Sequence, residues 1–148
     1  MWCEAAVWVE ELGRMRGMWL GVLVGGALGA LARYILSHWI ARWTAETPLQ
    51  AWPVATLSIN VLGSFLLAFV VELTLMGVVS PFWRVTLGVG FLGAFTTFST
   101  LAYEMESLAS RGPLSLYSGA YGAISLVLGV GAVLLGKWCA QQLRLWTG

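Results

Sequence analysis

The sequence predicts an all-α integral membrane protein of four transmembrane helices with almost nothing outside the bilayer. Three observations carry this: charge is scarce, long charge-free gaps recur, and tryptophans gather near the gap ends. Only 10% of the 148 residues are charged, 59% are hydrophobic and mean hydropathy is +0.81. A soluble domain carries about 25% charged residues, so a solvated globular surface is excluded. No charged residue occurs over Gly17–Ala32, Thr47–Val71, Val85–Tyr103 or Gly112–Gly136. Crossing the hydrocarbon core takes about 20 apolar residues, and each gap is about that long or nearly so.

The spans follow from these gaps as roughly Met18 to Ile40, Pro53 to Leu75, Phe82 to Leu108 and Leu114 to Trp138, a four-helix unit over residues 18–138. Trp19, Trp39, Trp52, Trp83 and Trp138 sit at or near span ends, where an amphipathic indole prefers the headgroup level. Polar or turn-forming stretches connect the spans: Thr44, Glu46, Thr47 and Pro48, then Gly77 to Pro81, then Arg111-Gly112-Pro113. None is long enough for a catalytic domain. Residues 139–148 form a short C-terminal tail. Residues 1–17 are an N-terminal extension; Glu4, Glu10 and Glu11 interrupt any signal-like apolar run. Met15 and Met18 lie just before the first span, so an overlong start is one reading of that segment. Cys3 and Cys139 show neither metal spacing nor a disulfide framework.

Orientation is nearly unbiased. The side holding both termini carries Arg14, Arg16, Arg84, Lys137 and Arg144, against Arg33, Arg42 and Arg111 on the other. Without the first 17 residues the count is three against three, so the positive-inside rule gives almost no direction. Such a chain either inserts both ways round, which allows an antiparallel dimer, or is decided by a single loop arginine. Gly21, Gly25 and Gly29 recur every fourth residue in span one, and Gly129 follows Gly122 by seven in span four. These small-residue stripes are packing faces for close helix approach.

The polar residues inside the spans bear on function. Thr56, Asn60 and Ser64 form one stripe in span two, and Tyr117, Tyr121 and Ser125 repeat its spacing in span four. Thr96-Thr97-Phe98-Ser99-Thr100 places four hydroxyls mid-span in span three. Such groups serve as interhelical glue, at about 0.6 kcal/mol each, or they line a pathway. Three stripes with Asn60 central favour the pathway. Hydroxyls and a carboxamide donate hydrogen bonds without charge, and aromatic edges are electropositive. Permeation needs binding that is good enough to enter and weak enough to leave. A neutral donor track therefore suits a small, strongly hydrated anion. Gly88, Gly90 and Gly93 before the Thr-rich run lower helix propensity. The result is either a mere kink or a mid-membrane break whose carbonyls could ligate sodium. Arg33 either snorkels to the interface or faces an aqueous vestibule and draws anions in. Glu104 and Glu106 could pair with a basic residue.

The stretches Gly25–Tyr34 (GGALGALARY), Thr56–Phe65 (TLSINVLGSF) and Gly90–Thr100 (GFLGAFTTFST), followed by Glu104, resemble three successive motifs of the fluoride channel family known as Fluc or CrcB proteins. The resemblance runs from about Met18 to the end of span four, and TTFST within a membrane span is its most specific part. It implies a dual-topology antiparallel homodimer with two pores, passive fluoride export across a prokaryotic plasma membrane, and a structural sodium ion at the dimer centre. By position, Asn60 matches the pore asparagine and Phe98 the first pore phenylalanine. Gly93 and Thr96 match the residues whose backbone carbonyls hold sodium. Thr56, Tyr117, Tyr121 and Ser125 fall near the polar track, and Arg33 matches the first-helix arginine. Leu101 stands where the family pattern has a second phenylalanine. A pore that tolerates leucine is the favoured consequence, ahead of a slower pore or a need for a different partner chain.

Two rival functions remain on the residues alone. A small multidrug-type exporter needs a carboxylate deep in a span, yet the first span has no Asp or Glu and the chain has no Asp. A non-transporting assembly subunit would use the polar stripes only as glue. An enzyme is not expected: His38 is the lone histidine, and no nucleophile–base set is visible. Fluoride, the lipid bilayer and a second copy of the chain are the expected partners, with no nucleic acid among them.

Overall fold

A computed structural model describes residues 2–110 and 116–147, with side chains described over 17–50, 52–110 and 116–143. Every long element is helical, as the apolar runs and scarcity of interior proline require. Helix α1 runs Trp2–Thr44, so the N-terminal extension continues span one without a break. A 3-10 turn at Pro48–Ala51 follows, with the Thr47 hydroxyl capping Leu49 N–H. Helix α2 is Val54–Leu75, capped by Met76, and Gly77 just beyond it takes a φ of +77° that suits a residue with no Cβ. The third span comprises α3 (Pro81–Arg84), a π-helix (Val85–Leu92), α4 (Gly93–Phe95) and α5 (Phe98–Ser110). Helix α6 is Leu116–Thr147 and carries straight through the expected tail boundary at residue 139. The Arg111–Pro113 turn and the start of span four at Leu114 lie outside the described residues.

Among the described residues, four stretches are long and apolar enough to cross a membrane: Gly17–Thr44, Val54–Leu75, Pro81–Ser110 and Leu116–Leu143. The number of such helices is the one the charge gaps led us to expect. Alternate spans run parallel and pack in pairs, α1 on the third span and α2 on α6. Glycine makes both seams possible. A Cβ at Gly25 or Gly29 would strike the backbone of Thr86 or Phe91, and one at Gly136 would strike the Phe65 carbonyl. Without a hydrophobic drive between helices in lipid, this close backbone approach supplies the dispersion contact that holds them. A small core of Ile59, Leu92 and Phe95 ties the pairs together, with Phe91 stacked on Phe95. Large apolar side chains line the outside, among them Leu20, Leu23, Leu126 and Leu134. That surface is stable only against lipid.

Candidate functional site

The third span loses its regular ladder at Thr96 and Thr97. Thr96 has φ −84° and ψ 157°, an extended conformation between α4 and α5. β-Branched threonine tolerates it well, and the interruption leaves backbone groups to be satisfied elsewhere. Asn60, on α2, meets this need with both ends of its carboxamide. Its Nδ2 donates to the Thr97 carbonyl at 3.0 Å, and its Oδ1 accepts the Thr97 N–H at 2.8 Å. The Thr97 hydroxyl then caps α5: it accepts from Thr100 N–H at 3.3 Å and meets the Thr100 hydroxyl at 2.9 Å. In an unbroken helix those two N–H groups would go to the carbonyls of Gly93 and Thr96. Here they bond side chains, and the two carbonyls are released from the ladder. Gly93 itself is exposed on the single chain.

Beside this clamp lies an open groove of about 220 Å³ lined by Asn60, Gly63, Ser64, Leu67, Thr96, Thr97, Phe98 and Leu101. No lining residue is charged. Three of the residues expected to form the ion pathway, Asn60, Phe98 and Leu101, therefore share one surface. Phe98 is 82% exposed, so its ring has no cover within one chain.

The remaining track residues are arranged differently. Thr56 and Tyr121 are buried, and their hydroxyls both donate to Glu104, at 2.7 Å to Oε1 and 2.7 Å to Oε2 respectively. Glu104 is thus held by two hydroxyls from two helices, and neither of those donors is free. The expectation that Glu104 pairs with a basic residue gives way to this arrangement, because Thr56 and Tyr121 share its depth and face it. Matching the three by depth along their spans is the signal that sequence reasoning passed over. Tyr117 lies on the exposed side of α6, edge-on to Trp52 at 6.3 Å. Ser125 Oγ is buried one helical turn from Tyr121 on α6. Arg33 is half-buried on α1, away from the groove lining.

These features define a multi-pass helical membrane protein whose polar interior is organised around an interrupted span. Residues 20–137 match the family described as CrcB-like protein, Camphor Resistance (CrcB). The chain belongs to the CrcB-like family. It is 44% identical over 128 residues to a fluoride-specific ion channel of Saccharophagus degradans, covering 85% of this chain and 91% of that one. A fluoride-specific ion channel of Deinococcus radiodurans is 44% identical over 126 residues, 85% of this chain and 97% of its own. A fluoride-specific ion channel of Methanopyrus kandleri is 40% identical over 128 residues, 86% of this chain and 90% of its own.

Proposed function

We propose that the chain is a passive, fluoride-selective ion channel, working as an antiparallel dual-topology homodimer in a prokaryotic plasma membrane and exporting cytoplasmic fluoride. The observation that carries this reading is the uncharged groove where Asn60, Ser64, Thr96, Thr97, Phe98 and Leu101 converge. Neutral donors and ring edges replace part of an anion's water shell, yet release it more readily than a buried cation would. The names of the relatives point to the same ion. The exposed Phe98 ring and the open groove suit cover by a second copy, and the near-equal balance of positive charge suits insertion both ways round.

Sodium fits the interrupted span. The carbonyls of Gly93 and Thr96 have lost their usual donors to Asn60 and to the Thr97 hydroxyl, and hard carbonyl oxygens suit a hard monovalent cation. Two copies related by a twofold axis would contribute four such oxygens. Bound there, sodium would supply fixed positive charge that holds the two interrupted spans together. Arg33 in a vestibule, with Tyr117 and Ser125 along the approach, completes the proposed path; Thr56 and Tyr121 flank it with their hydroxyl protons given to Glu104.

The test is efflux from proteoliposomes containing the purified chain alone, read with a fluoride electrode and with chloride as the control anion. Rapid fluoride release without chloride release is expected. Liposomes that hold fluoride as tightly as protein-free ones would end this reading.

A further inference from the structure

The far end of α1 carries a cluster that neither the groove nor the helix seams use. Trp39, Arg42 and Trp43 stand at i, i+3 and i+4, one face of the last turns, and line an open hollow of about 640 Å³. The two indoles are 72% and 86% exposed, and Arg42 is exposed between them. Among the described residues Arg42 has no acidic partner. Glu46, its nearest acid in sequence, lies beyond the helix end in the turn.

We propose that this cluster binds the phosphate of an anionic phospholipid headgroup. Depth supports it, because the span ends at Thr44 and the cluster therefore sits at headgroup level. Charge complementarity supports it as well: a guanidinium fork matches phosphate oxygens two at a time. The indoles flank the fork with apolar faces for the glycerol and upper acyl carbons and N–H donors for the ester oxygens. A cation in the last turn also meets the negative end of the helix dipole. That effect and the headgroup preference of indoles account for each residue singly; the proposal rests on their grouping around one uncovered guanidinium. Inorganic phosphate shares the anionic chemistry and lacks the apolar portion, so the lipid is the occupant the indoles select.

Native mass spectrometry of the full-length chain in detergent tests this, titrating phosphatidylglycerol against phosphatidylcholine with the same acyl chains. Phosphatidylglycerol is expected to bind more tightly, and Arg42→Gln to weaken it about fivefold. Arg42→Lys should keep most of the preference, which separates charge loss from misfolding. Trp39→Leu with Trp43→Leu should weaken both lipids. Excess inorganic phosphate should not displace the bound lipid. An unchanged preference in Arg42→Gln, an equal loss in Arg84→Gln, displacement by phosphate, or a shift from dimer to monomer with lipid binding intact would each overturn the proposal.

Discussion

Asn60 is the residue on which backbone and proposed pathway meet. Its carboxamide completes the interrupted span and borders the groove in the same act. Asn60→Asp keeps an acceptor for Thr97 N–H, deletes the donor to the Thr97 carbonyl and adds a negative charge. At about 5 Å and an effective dielectric of about 20, that charge costs a passing anion roughly 3 kcal/mol. Fluoride efflux should therefore fall about a hundredfold, measured by electrode. Leu101 borders the same groove, and Leu101→Phe should change the efflux rate by less than tenfold in the same assay. Asn60 and the TTFST run were legible from sequence because polar side chains stand out in an apolar span. The commitment of Thr56 and Tyr121 to Glu104 was only half legible: their shared depth could be read, but not the rotation of three helices about their own axes. Tyr121→Phe removes one of the two hydrogen bonds to Glu104 and should cost about 1–3 kcal/mol of stability, read as earlier thermal unfolding in detergent.

Among the elements, the third span departs most from regular geometry. Gly88, Gly90 and Gly93 hinted at weak helix propensity, and the sequence left kink and break open. The widened π-helix at Val85–Leu92 was invisible beforehand, because its i to i+5 bonding leaves no mark on hydrophobic periodicity. The α1 seam was legible. Gly25 and Gly29 face the backbone of that π-helix with no room for a methyl group, whereas Gly26 has only the Gly90 carbonyl at ordinary contact distance. Gly29→Val should therefore lower stability by roughly 1–3 kcal/mol. Gly26→Ala should leave it nearly unchanged, and paired melting curves of the two variants in one detergent check the contrast.

At the scale of the whole molecule, four crossings could be counted from charge gaps alone. Pairing of alternate crossings in parallel could not, because it rests on which glycine stripe meets which backbone. The proposed antiparallel dimer predicts that a protease added outside sealed proteoliposomes cleaves about half of the C-terminal tags. All or none would indicate a single orientation. Replacing sodium with a large organic cation should loosen the dimer and slow efflux together. The helices also differ in length, and α2 is the shortest full crossing, 22 residues or about 33 Å. It acts as a ruler. It exceeds an average hydrocarbon core of about 30 Å by a few ångströms, which a small tilt takes up, and the longer neighbours absorb their larger surplus by leaning or protruding. A membrane a few ångströms thicker would stand this helix upright, so α2 sets the greatest thickness that the chain spans without thinning the lipid around it.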